Sequence, residues 1–298
     1  MKIEATMWTG LGTLLGVCLI CLPAAADVWD VGPNLGGLPY TDNTAFNTPN
    51  LLVHGAIQVH DLAALNTTET CPVAPCPDED WYWVPKYPYT SHEVVIEASS
   101  PFLTYYPSGS IGPPSLSRHE FAGGVLLQVA TSPSVAPNGT ASLRWETGPT
   151  GAWAESIAVA HVQHAACGTS CDANAQYTLR FYETTGVIPR FNDANGQVTI
   201  LILQNTITAD GGDGSHLVTG HINFFTGGPS TPPIQVPFQL PENDGLVLNT
   251  ATVPGLAGLA GRITITHDGH YGQLAGKATA VEPSTGFSFD TPLQNMPH

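Results

Sequence analysis

The stretch Cys167–Asn192, CGTSCDANAQYTLRFYETTGVIPRFN, decides how this chain is read. Two close cysteines, Cys167 and Cys171, precede Tyr177, Leu179 and Phe181. These three alternate with Thr178, Arg180 and Tyr182 in the period-two pattern of a strand with one buried face. After Glu183 the pattern breaks at Thr184, Thr185 and Gly186, and Val187 to Phe191 open a second run of strands. The stretch predicts the last strand of one β domain, a short hinge, and the entry to another.

Upstream, strand patterns fall at Leu51–His60, Glu93–Ala98 and Val125–Ala130. In Ala141–Glu146, Leu143 and Trp145 alternate with Arg144 and Glu146, and Ile157, Val159 and His161 repeat the pattern. Glu79 to Val84 form a compact acidic and aromatic run, and the Pro-, Gly- and Ser-rich residues 108–118 read as loop. Downstream, Val198 to Leu203 are apolar on both faces, the mark of a central strand covered on both sides. Ile222 and Phe224, then Ile234, Val236, Phe238 and Leu240, keep the alternation. Pro237 places its strand at a sheet edge, because proline has no N–H for the ladder. Leu246 and Leu248, then Ile263 and Ile265, continue it, and Lys277 to Val281 close the sheet. No segment carries a sustained helical stripe. The fold class is therefore all-β, with two β-sandwich domains: a jelly-roll-like sandwich over 51–185 and a smaller, immunoglobulin-like sandwich of about seven strands over 186–298.

Lys2, the apolar run Met7–Leu22 and Ala24, Ala25 and Ala26 before Asp27 predict a signal peptide over 1–26, cleaved after Ala26. Residues 27–50 then form an extended lead-in, rich in Gly, Pro, Asn and Thr. The apolar run is shorter than the ~20 residues a bilayer core requires, so no membrane insertion is expected. The formal charge is −16, with 8 Lys and Arg against 24 Asp and Glu. That balance disfavours nucleic acid and anionic membranes as partners.

Cys71, Cys76, Cys167 and Cys171 form an even set in a secreted chain, which favours disulfides. Local pairs, Cys71 with Cys76 and Cys167 with Cys171, close the shortest loops, and a four-thiolate zinc site is the alternative. Asp78, Glu79 and Asp80 are weak calcium candidates. Adjacent carboxylates do not face one another across a substrate as acid/base catalysis requires. Trp81 and Trp83 share a strand face and are candidate ligand-binding aromatics. The Asp210–Gly214 turn lacks the ligand spacing of a calcium loop. His161 with His164, and His267 and His270 beside Asp268, have no third metal ligand in a zinc pattern. No G-x-S-x-G elbow is present. No cofactor is expected beyond a calcium ion at those carboxylates.

The first domain resembles bacterial pre-peptidase C-terminal domains, β-sandwich modules attached to many exported proteins. The resemblance rests on Asp80, Trp81 and Tyr82, on the strand Glu93–Ile96 and on the closing strand Tyr177–Arg180, and it spans roughly Val53 to Glu183. The cysteine pairs and the missing protease domain depart from that family. The resemblance implies a non-catalytic appended module. The whole chain also resembles a group of uncharacterised bacterial secreted proteins, through the strings Tyr182–Asn192, Gln197–Asn205, Val247–Thr250, Thr264–Gly269, Leu274–Lys277 and Glu282–Phe287; no activity comes with them. The expectation is a secreted, non-catalytic structural or binding protein of the cell surface or extracellular space, with a surface or matrix polymer, or other copies of itself, as partner. The alternatives are a carbohydrate-binding or adhesive module and a hydrolase whose residues are scattered in sequence.

Overall fold

The computed structural model describes residues 32–35, 38–40, 50–61, 79–98, 115–122, 125–133, 135, 139–149, 154–160, 176–206, 217–228 and 230–295. Residues 1–26, Asp78 and the four cysteines at 71, 76, 167 and 171 lie outside them, as do His161, His164 and the Asp210–Gly214 turn.

The order is β1 (Gly32–Leu35), β2 (Leu38–Tyr40), β3 (Ile57–Asp61), β4 (Glu79–Pro85), β5 (Ser91–Ala98), β6 (Ser115–Ala122), β7 (Val125–Thr131), β8 (Thr140–Glu146), β9 (Ala154–Ala160) and β10 (Gln176–Glu183). It continues with β11 (Gly186–Asn192), β12 (Val198–Asn205), β13 (Val218–Phe225), β14 (Ile234–Leu240), β15 (Gly245–Asn249), β16 (Ala260–His267), β17 (Leu274–Glu282) and β18 (Phe287–Pro292). A 3₁₀ turn over Thr250–Thr252 is the only helical element among the described residues.

Two four-stranded sheets, β3-β10-β5-β8 and β4-β9-β6-β7, form the first sandwich. Its core draws Val94 and Ile96 from β5, Leu143 and Trp145 from β8, and Tyr177, Leu179 and Phe181 from β10, facing Tyr82, Val84 and Leu116. The alternation seen in sequence is the cause: each of these strands turns every second residue inward. The second sandwich pairs β11-β16-β13-β14 with β15-β12-β17-β18. Ile188, Phe191, Leu201, Leu203, Ile222, Phe224, Ile263 and Ile265 fill it. The fold is all-β, built of antiparallel sheets in two sandwiches with separate cores.

Several details differ from the sequence reading. The lead-in carries a short hairpin, β1 with β2. The loop expected over 108–118 gives way to β6 at Ser115, whose Leu116 is buried despite the surrounding Ser and Pro residues. β12 is central, as its neighbours β15 and β17 show, but only one face is sealed: Thr199, Leu201 and Leu203 are buried while Ile200 and Ile202 are half-buried. The second sandwich has eight strands, because β18 lies outside β17 and takes the edge expected of Lys277–Val281. β14, with Pro237, is an edge strand.

Between β10 and β11 only Thr184 and Thr185 are non-strand, and both are buried. Ser91 fixes both. Its carbonyl accepts the Thr184 N–H at 2.9 Å, its hydroxyl oxygen accepts the Thr184 hydroxyl at 2.9 Å, and its N–H donates to the Thr185 hydroxyl at 2.9 Å. The expected hinge is a pinned junction.

Candidate functional site

The sequence candidates come first. Asp80 is fully buried, where the Tyr177 hydroxyl donates to its Oδ2 and Tyr82 bonds Tyr177 hydroxyl to hydroxyl at 2.6 Å. His60 stacks on Tyr177 and meets Tyr82 edge-on. Burial, then the Asp80 charge beside it, pushes the Tyr177 phenol well above its ordinary range. Asp80 thus serves an interior hydrogen-bond network. Trp81 is only 9 % exposed, set against His119 and Leu126 on the outward face of the second sheet. Trp83 is half-buried and stacks on Phe121 with 13° between the ring planes. The two tryptophans share a face, and Trp81 turns little of its ring to solvent.

A residue pair that the sequence analysis did not single out lies beside them. Ser117 Oγ is 3.0 Å from His119 Nε2, and burial lowers the His119 pKa. Among the described residues no carboxylate is hydrogen-bonded to this imidazole. At the inner end of the first sandwich, Glu120 pairs with Lys86 at 3.4 Å and with Arg118 at 3.0 Å. His92 packs beside them between Trp145 and Phe181. Burial, with the Lys86 and Arg118 cations adding to it, holds the His92 imidazole down at about 3.

The densest chemistry lies on the seam between the sandwiches. Strand alternation points Glu93, Arg144 and Glu146 away from the first core, because Val94, Leu143 and Trp145 face into it. In β13 and β16 the residues opposite the core-facing Ile222, Phe224, Ile263 and Ile265 form a ladder: Asn223 with Thr264, His221 with Thr266, Phe225 with Arg262. The two outward faces meet. Glu146 Oε2 accepts from His221 Nδ1 at 2.9 Å and from the Thr266 hydroxyl at 2.7 Å. Glu93 Oε1 accepts from His270 Nδ1 at 2.6 Å and its Oε2 from the Tyr271 N–H at 2.8 Å. Tyr271 stacks on Tyr182 of β10 with ring centroids 5.1 Å apart, and His54 lies against both rings.

His267, read from sequence as part of a turn, ends β16 and is buried. Burial lowers its imidazole to about 4, although Asp268, the Thr184 backbone and Glu93 all pull the other way. Its Nδ1 accepts the Gly269 N–H at 3.1 Å. Asp268 closes the ladder by accepting from the Thr219 N–H and hydroxyl, each at 2.7 Å.

Two hollows flank the contact. One, of about 360 Å³, opens beside Glu146 and His221 against Pro237, Phe238 and Gln239 of the edge strand. The other, of about 620 Å³, lies between Tyr89 and Pro149 of the first sandwich and Phe225 and Arg262 of the second. Among the described residues no group of three or more His, Cys, Asp or Glu side chains gathers as a metal site, and no helix is long and apolar enough to cross a membrane.

A charge-relay constellation needs a hydroxyl or thiol, an imidazole and a carboxylate in one line of hydrogen bonds. Here the parts are separated. Ser117–His119 has no carboxylate on its imidazole, and His221 and His270 have carboxylates but no hydroxyl bonded to their rings, among the described residues. Glu93, Glu146, His221 and Thr266 were invisible to sequence reasoning because each reads as an ordinary outward strand position; the grouping of His267, Asp268 and His270 was the one signal present. The chain matches no protein-family model and no curated protein with which it was compared.

Proposed function

We propose that this chain is a secreted, non-catalytic binding or structural protein of the cell surface or extracellular space, its two sandwiches held as one unit, with a surface or matrix polymer as partner. One observation carries the reading: the acid–imidazole pairs of the seam are spent joining the sandwiches. Both oxygens of Glu93 accept donors from the second sandwich. A carboxylate committed in this way orients a neighbouring domain and is not available to a substrate.

The hydrolase reading keeps one specific foothold, the Ser117–His119 contact of 3.0 Å. A single experiment addresses both. The secreted protein is screened for binding to polysaccharides and cell-surface fractions beside esterase, glycosidase and protease substrates. Retained binding without turnover supports the proposal. Turnover that disappears in Ser117→Ala overturns it.

A further inference from the structure

We propose that the hollow between Tyr89, Phe225 and Arg262 is a binding site for a carboxylate-bearing sugar of the uronate type, a reading that rests on the polymer-binding function and names its ligand class.

The argument begins with charge. The chain has three acidic residues for each basic one, 24 against 8, so an arginine without an acidic partner is unexpected. Lys86, Arg118, Arg180 and Lys277 all hold carboxylates. Arg262 is exposed and pairs with none among the described residues; its guanidinium lies 4.7 Å over the Phe225 ring, its partner across the β13–β16 ladder. Arg190, also exposed, lies on the neighbouring strand. The β11–β16 register slips between Ile188 and Phe191, so that Pro189 and Arg190 together oppose Arg262. Like charges set opposite one another in a sheet are destabilising. An anion bound at Arg262 lowers that cost.

Gly261 makes the arrangement possible. A Cβ there would sit 1.9 Å from the Phe225 carbonyl oxygen and 3.1 Å from the Phe191 ring. Without it, the β13 backbone at Phe225 and the Phe191 ring of the bulged strand both close on β16. Seated over the Phe225 ring, the Arg262 guanidinium lines the hollow, and its planar fork is the group that grips a carboxylate with two parallel bonds.

The opposite wall is built for the same purpose. Tyr89 has a φ of 58°, in the left-handed region that aromatic residues seldom occupy. Its turn is held there by the Tyr87 carbonyl, which accepts the Thr90 hydroxyl at 2.7 Å and the Thr147 hydroxyl at 2.5 Å. Strain kept by so many bonds is typical of ligand contacts. The result sets the Tyr89 ring edge-on to Phe225 at 5.9 Å, facing the hollow. Ser230 and Thr231 add hydroxyls to the rim. One cationic fork, an aromatic wall and hydroxyls match a sugar ring carrying one carboxylate.

The test is calorimetric titration of the full chain with oligogalacturonate, with the neutral oligogalactose of equal length, with inorganic phosphate, and with a short peptide ending in a free carboxylate. Oligogalacturonate alone should bind, and Arg262→Ala should weaken it by about tenfold or more while the unfolding midpoint stays in place. Lys277→Ala, on the far sheet, should leave binding unchanged. No binding of oligogalacturonate, equal binding of the neutral sugar, tighter binding of phosphate or peptide, or full affinity in Arg262→Ala would each overturn the site. The broader binding reading fails only if the polysaccharide and cell-surface screen is also blank.

Discussion

Glu93 of β5 is the point where the second sandwich is fastened to the first: His270 Nδ1 lies 2.6 Å from one carboxylate oxygen and the Tyr271 N–H 2.8 Å from the other, with the Glu93 side chain 3 % exposed. A buried carboxylate with two donors is costly to truncate, because the donors are left without an acceptor. Glu93→Ala should cost about 3–5 kcal/mol in urea unfolding. Glu93→Gln, which keeps one acceptor and the shape, should cost about 1–2 kcal/mol. Equal losses in the two variants would mean that volume rather than hydrogen bonding holds the joint.

Acid should weaken the fold through His92 and His267. Their folded-state pKa values lie at about 3 and about 4, below the 6.5 of a free imidazole. Between 6.5 and those values the unfolded chain takes up protons that the folded chain refuses, so stability falls as pH falls through that window and rises with pH within it. Around His92 stand Lys86 and Arg118, and around His267 stand Asp268, Glu93 and Arg144. The full effect is up to about 3–5 kcal/mol per histidine. Urea midpoints between pH 7 and pH 4 measure it, and the slope should flatten in a His92→Gln, His267→Gln double variant. A flat midpoint across that range in the parent chain would refute the burial of these rings.

The Ser91 anchorage should make the two sandwiches unfold together and resist cleavage between them. Intact protein is expected to survive limited proteolysis at residues 184–189. Ser91→Ala leaves the buried Thr184 hydroxyl without its acceptor and should cost about 1–3 kcal/mol. Two separate unfolding transitions in the parent chain would show that the junction does not couple its neighbours.

Tyr89 should carry a trade between stability and binding. Asparagine enters the left-handed region at low cost. Tyr89→Asn should therefore hold the unfolding midpoint to within about 0.5 kcal/mol, since relief of strain offsets the lost ring contact. Sugar binding should drop in the same variant. A loss of stability above ~2 kcal/mol would show that the ring contact matters more than the backbone strain.

Much of the fold was legible because alternation is a local property. Leu143 and Trp145 against Arg144 and Glu146 told which way β8 faces, and the structure puts the first pair in the core. Three things were not legible. Ser115–Ala122 hid its start among Pro, Gly and Ser residues, since a strand that buries Leu116 while turning Ser117 and His119 outward has little apolar signal. The seam was hidden for a deeper reason: Glu93, Glu146, His221 and Arg262 occupy outward positions, and period-two patterning reports which side of a sheet a residue takes without saying whether another sheet covers it. The φ of Tyr89 leaves no trace in residue type at all.

The three bonds from Ser91 to the two threonines also bear on how this molecule would carry a load. A force drawing one sandwich from the other cannot first extend a slack linker, because none exists between Glu183 and Gly186. It acts at once on the N–H, carbonyl and hydroxyl of a single serine, stretched side by side, together with the carboxylate grips at Glu93 and Glu146. Bonds strained in parallel share the tension and yield together. Tethered at a surface, such a joint would transmit a pull almost without stretching, and would fail abruptly.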